Sequence, residues 1–252
     1  MSGIIELTLG HSPDPDDAFM FYALAKDKID TGPYKFTHVM EDIQTLNERA
    51  TRGELDITAI SIHAYAYVLD KYALLPAGAS MGFGYGPMVV AKEKIAPADL
   101  KGMTIAIPGK MTSAYLELQL AIGEFNAVHV PFDEIIDRVV SGEFPAGLII
   151  HEGQLTYQDA GLHECINLGQ WWWETTGRKD WPLPLGGNTI HKRHGDKMKD
   201  ISDILTASIQ YSLDNREAAL AYALDWARNM GVELADEFVA MYVNHWTLDY
   251  GQ

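Results

Sequence analysis

The sequence predicts a two-domain α/β protein with a helical C-terminal segment. Three observations predict it. Short apolar strand patterns alternate with helix patterns over most of the chain. The length, 252 residues, is generous for one hydrophobic core and comfortable for two. The stretch from Met198 to about Leu248 reads as helix throughout.

The elements follow in order. Ile4–Leu9 is an apolar strand. Asp14-Pro15-Asp16-Asp17 then opens a helix, because aspartate suits the N-cap, proline the first helical position and further acids the positive helix end. A second helix runs from about Asp42 to Gly53, a C-terminal cap, and leads into the strand Leu55–Ile60. Ser61 is placed to cap a helix reaching about Tyr72. The glycines between Gly78 and Gly86 predict a flexible segment without regular structure. Met88–Ala91 and Met103–Ile107 read as strands. The turn Pro108-Gly109-Lys110-Met111-Thr112-Ser113 enters an apolar helix, Ala114–Gly123. A helix from Asp133 to Ser141 stops at Gly142, and Gly147–Ile150 is a buried strand. Pro182–Gly187 is extended and continues to Thr189-Ile190.

One internal echo bears on organisation. Residues 50–57 and 139–146 both read as a helix end, a glycine cap, Glu, an apolar residue and a strand. The strands they enter end near Ser61 and His151. Polar residues would then stand at carboxyl ends of strands, where open α/β sheets bind ligands.

Composition narrows the function classes. The 19 basic and 35 acidic residues leave a formal charge of −16. Nucleic acid and anionic membrane surfaces both call for a basic face, so neither is an expected partner. The N-terminal residues carry no signal-peptide pattern, and no stretch has the length of a membrane span, which makes a cytoplasmic protein without a membrane anchor the expectation. The one cysteine, Cys165, reads as a small core residue. No Cys/His cluster has zinc spacing. Asp14, Asp16 and Asp17 suggest a cation site less well than a helix start between prolines.

His151 is the leading candidate for chemistry. It follows Leu148-Ile149-Ile150, so it leaves a buried strand for a loop, and a neutral imidazole there can take a proton near neutrality. Position alone does not separate that role from a strand-end hydrogen bond. Thr112 and Ser113 start a helix, where hydroxyls and free N–H groups hold a carboxylate or simply cap the helix. Ser61 has the same two readings. Asn47, taken alone, reads as a solvated helix residue. Trp171-Trp172-Trp173 fits packing better than ligand stacking.

Several segments are shared with a known family. They are Ser12–Asp17 with Phe19 and Phe21, Glu41-Asp42 with Thr45-Leu46-Asn47, Thr58 with Ser61, Gly86-Pro87, Pro108-Gly109 with Thr112, Gly147–Glu152, Trp171-Trp172, Pro182–Gly186 and Tyr242-Val243-Asn244. In this order they resemble the 1,4-dihydroxy-6-naphthoate synthase family of the futalosine route to menaquinone, whose relatives share a fold with periplasmic solute-binding proteins.

The resemblance implies a type II periplasmic-binding-protein-like fold with a ligand cleft between two domains. Domain one would be 1–88 plus 190–252, and domain two 89–189. It implies a lyase splitting cyclic dehypoxanthinyl futalosine, a small-molecule carboxylate, into 1,4-dihydroxy-6-naphthoate and dihydroxyacetone without a cofactor or a metal. His151 falls on the family's proton acceptor, and Thr112 and Ser113 on a substrate-binding hydroxyl pair. Ser61 and Asn47, with Ile60 and Ala59 beside them, fall on the cleft lining. Departures from the family pattern are Asp14 and Asp16, which replace Cys and Asn, Ala59 at a position where lysine is common, and an additional His63. A chorismate dehydratase of the same fold and a solute-binding protein without chemistry are the alternatives.

Overall fold

A computed structural model describes residues 3–227 and 230–251. The chain forms two compact units, Met1–Met81 with Gly186–Gln252 and Gly82–Leu185. In chain order the strands are β1 (Ile5–His11), β2 (Tyr34–Met40), β3 (Ile57–Ser61), β4 (Tyr72–Leu74), β5 (Ser80–Gly82), β6 (Met88–Ala91), β7 (Thr104–Ile107), β8 (Asn126–His129), β9 (Ala146–Ile149), β10 (His163–Asn167) and β11 (Leu183–His191). The α-helices are α1 (Pro15–Met20), α2 (Tyr22–Ala25), α3 (Ile43–Arg52), α4 (Ile62–Tyr65), α5 (Ser113–Ile122), α6 (Ile135–Ser141), α7 (Gly153–Thr156), α8 (Leu168–Thr176), α9 (Met198–Asp214), α10 (Arg216–Ala223), α11 (Val232–Tyr242) and α12 (His245–Leu248).

The first unit is built on a sheet of order β2-β1-β3-β11-β4, with β5 paired to β11. Strands β1, β2 and β3 run parallel, and β11 lies antiparallel to β3. Leu7, Leu9, Ile57 and Ile190 leave one face of this sheet and meet Phe19 and Phe21 with Ile201, Leu205 and Ile209 of α9. Each such side chain, fully withdrawn from water, contributes about 1.5–3 kcal/mol. The second unit has a sheet of order β10-β6-β9-β7-β8. Ile105, Ile107 and Leu148 pack on Ala114 and Leu118 of α5 and on Leu168 of α8, while Ala106 and Val90 meet Ile135 and Val139 of α6 on the other face. Cys165 lies in this core, and burial raises its thiol pKa.

The echo noted in the sequence is structural. Gly53 and Gly142 end α3 and α6 with φ of 69° and 83°, the left-handed region that a side chain resists. The chain then enters β3 and β9. Both strands have a parallel neighbour, β1 for β3 and β7 for β9, so each sheet gathers the carboxyl ends of two adjacent strands at one edge.

Several expectations need correction. The helix after Ser61 is a single turn, because the chain is drawn into the sheet as β4, with the Tyr72 hydroxyl donating to the Leu55 carbonyl at 2.7 Å. The glycine-rich segment is not devoid of regular structure, since Ser80–Gly82 pairs with β11. Asp14 occupies the N-cap of α1 with extended backbone but makes no side-chain cap hydrogen bond there, and Ser61 likewise makes none to α4. The C-terminal region is not one continuous helical run: α9 breaks at Asn215, and a 3-10 turn, Leu224–Trp226, follows α10. Residues 228–229 of that predicted run lie outside the described residues.

Strands β2, β8 and β10 and helix α8 were not expected. In α8, Trp171 and Trp172 pack on the core of the second unit, and Trp173 stands edge-on to Phe83, so the tryptophan run serves packing. Among the described residues, no helix is long and apolar enough to cross a membrane.

Candidate functional site

The first unit brings Asn47 and Ser61 together. Asn47 on α3 is fully buried, not solvated as its polar sequence neighbours suggested. Its Nδ2 donates to Ser61 Oγ at 2.9 Å, and its Oδ1 accepts from the Ser61 N–H at 2.9 Å. Asp42 caps α3 by accepting from the Thr45 N–H, which fixes the turn from which Asn47 projects. The two-point contact orients the Ser61 hydroxyl at the carboxyl end of β3. Ile60 is fully buried in the same strand, and Ala59 packs with Leu46 and Leu55.

At the neighbouring end of β1, the segment His11–Asp17 is tightly tied. His11 Nε2 lies 2.9 Å from His38 Nδ1, and His11 Nδ1 lies 3.0 Å from the Ser12 carbonyl. The Ser12 N–H donates to Asp17 Oδ2 at 2.6 Å. Burial, with His38 beside it, lowers the His11 pKa to about 4. Burial, with Asp16 and Asp14 nearby, raises the Asp17 carboxyl well above the usual range. Sequence reading missed this cluster, because its second histidine lies on β2.

The second unit holds the other candidates. Thr112 is the N-cap of α5: its Oγ1 accepts from the Tyr115 N–H at 3.2 Å and donates to the Gly109 carbonyl at 2.8 Å. Ser113 Oγ donates to the Leu185 carbonyl. Both hydroxyls are buried at the start of a ten-residue helix, whose dipole favours an anionic group. One turn on, Glu117 is also buried, and burial raises its carboxyl pKa.

His151 lies just beyond β9, on the sheet edge where β7 leads toward Thr112 and Ser113. Its φ of 58° places a β-carbon-bearing residue in the left-handed region, a conformation that concentrates at functional sites. The imidazole stands edge-on to Phe132, with ring centres 4.6 Å apart, and its Nε2 is buried. A half-buried imidazole set edge-on against Phe132 suits taking a proton from a molecule that excludes water around it. Among the described residues, no three His, Cys, Asp or Glu side chains group as a metal ion would need.

Comparison with known proteins sets this geometry in a family. A model described as menaquinone biosynthesis matches residues 7–252. The chain is 39% identical to the 1,4-dihydroxy-6-naphthoate synthase of Thermus thermophilus over 98% of its own length and 89% of that protein. It is 38% identical to the enzyme of the same name from Streptomyces coelicolor, covering 98% and 88% of the two chains. A solved structure of a protein from Archaeoglobus fulgidus superposes with a TM-score of 0.93 at 44% identity, over 98% of this chain and 91% of that one. A Candida albicans protein described as having the generic periplasmic binding protein fold superposes with a TM-score of 0.70 at 14% identity, over 95% and 81%; that likeness concerns the fold alone. The fold is thus the periplasmic-binding-protein-like one that the sequence predicted, and the chain belongs to the menaquinone biosynthesis family.

Proposed function

We propose that this protein is a carbon–carbon lyase that converts cyclic dehypoxanthinyl futalosine to 1,4-dihydroxy-6-naphthoate and dihydroxyacetone. The observation that carries this reading is near full-length identity of 39% and 38% to two proteins named 1,4-dihydroxy-6-naphthoate synthase. The local geometry supports it. A cofactor-free fragmentation needs a base, groups that fix a carboxylate and a hydroxyl, and exclusion of water.

In this reading His151 removes the proton that starts ring opening, and the three-carbon fragment leaves as the naphthalene aromatises. Thr112 and Ser113, whose hydroxyl protons turn from the Gly109 and Leu185 carbonyls toward the ligand, hold the substrate carboxylate at the N-terminus of α5. Ser61, oriented by Asn47, binds a substrate hydroxyl, with Ile60 and Ala59 lining that side. The two-domain division at 1–88 plus 190–252 and 89–189 and a cytoplasmic location belong to the same reading; they rest on the family's biosynthetic role and fold.

Turnover of cyclic dehypoxanthinyl futalosine by the wild type, followed as release of dihydroxynaphthoate, tests the assignment. His151→Ala, run beside it, is expected to lower kcat by about two or more orders of magnitude. A folded wild type that releases no product would overturn the reaction. A fully active His151→Ala would overturn the role of the histidine.

A further inference from the structure

The buried pair His11–His38 has no part in the chemistry above, and its hydrogen bonds run in one direction. The Ser12 carbonyl can only accept, so His11 Nδ1 carries the proton of the 3.0 Å contact. Neutral His11 then offers Nε2 only as an acceptor, so His38 Nδ1 carries the proton of the 2.9 Å contact. His38 Nε2 is left as a buried lone pair without a hydrogen-bond partner among the described residues. From His38 the order is therefore β2 to His11, His11 to the Ser12 carbonyl, and, across the same residue, the Ser12 N–H to Asp17.

The placement of this series matters. β1 pairs with β3 through Leu9 with Ile57 and Gly10 with Thr58, so His11 lies level with Ala59, one strand spacing away. Ser12 and the turn that follows therefore stand at the edge that carries Ser61. Phe21 covers the His11 ring at 5.2 Å. Charged groups on the segments around the pair are Asp14, Asp16 and Asp17 on the turn and α1, and Glu41, Asp42 and Arg49 at and beyond the end of β2. Besides burial, only His38 and the Ser12 carbonyl act appreciably on His11.

We propose that His11 and His38 are positioning residues: a hydrogen-bonded strut that fixes the Ser12–Asp17 turn at the Ser61 edge and so sets substrate affinity without taking part in proton transfer. The proposal rests on the lyase reading for its substrate, but the strut itself can be tested without turnover. Nitrogen-15 NMR of histidine-labelled protein reports the tautomers directly. The expected result at neutral pH is both rings neutral and protonated on Nδ1. An Nε2-protonated His11 would overturn the strut.

His38→Leu removes the donor, and His38→Asn, whose amide nitrogen stands where Nδ1 does, restores one. With the wild type active, His38→Leu is expected to raise KM by about threefold to tenfold, the worth of one net hydrogen bond, with kcat within about twofold and KM recovered in His38→Asn. An unchanged KM in folded His38→Leu, or a loss confined to kcat, would overturn the positioning role. Absence of turnover in the wild type would instead remove the lyase reading and leave the NMR result to decide the strut.

Discussion

The two units hold their candidate residues in different ways. In the first, the polar groups at the strand ends are tied to one another: Asn47 to Ser61 at two points, His11 to His38 and Ser12, and Ser12 to Asp17. In the second, Thr112 and Ser113 are likewise tied to the Gly109 and Leu185 carbonyls, but His151 sits on backbone that its own side chain disfavours, edge-on to Phe132. The contrast matches a division of labour. A surface that orients a ligand gains from groups held rigidly by one another, whereas a base is kept where the chemistry needs it at a cost in backbone strain.

The largest predicted effect sharpens the first half of this comparison. His11 has a folded pKa of about 4 against an ordinary 6.5. Its contribution to stability is present above pH 6.5 and is lost as pH falls through about 4, because the unfolded chain takes up the proton first. The full window is worth about 3 kcal/mol. Urea unfolding of the wild type and His11→Asn between pH 7 and 4 should show the variant flatter by that order. Asp17 acts with the opposite sign: its raised pKa stabilises below the ordinary carboxylate value and costs stability as pH rises toward the folded value. Asp17→Asn, whose amide oxygen can still accept from Ser12, is expected to be more stable than the wild type at pH 7.

A middling effect tests whether Asn47 and Ser61 act as one unit. Asn47→Ala leaves the buried Ser61 N–H without its 2.9 Å acceptor and should cost about 1–3 kcal/mol. A double-mutant cycle with Ser61→Ala should show coupling, and strict additivity would break the comparison on this side.

The smallest effect concerns the second unit. At a φ of 58°, glycine is favoured over alanine by about 1 kcal/mol, so His151→Gly should be more stable than His151→Ala by that amount in chemical unfolding. Equal stability would mean that position 151 carries no backbone strain.

Legibility in the sequence followed the range of the interactions. Helix α3 was readable at both ends because Asp42 and Gly53 act locally, and β6, β9 and the approach to His151 were readable as apolar runs. Strand β2 was missed because its seven residues, Tyr-Lys-Phe-Thr-His-Val-Met, carry little apolar contrast, and the His11–His38 contact vanished with it. Strand β8 was missed because its ends are exposed and it spans only four residues. Asn47 looked solvated because its partner lies fourteen residues away, across a glycine cap. The hydroxyl pair at the start of α5 was found through its Pro-Gly turn, a local signal, whereas the strained φ of His151 has no sequence signature.

Turnover of His151→Gly, measured beside the wild type and alongside unfolding stability, tests the central claim most directly. The account predicts a protein at least as stable as His151→Ala whose kcat on cyclic dehypoxanthinyl futalosine is lower than wild type by about two or more orders of magnitude. A His151→Gly enzyme that keeps wild-type turnover would contradict it.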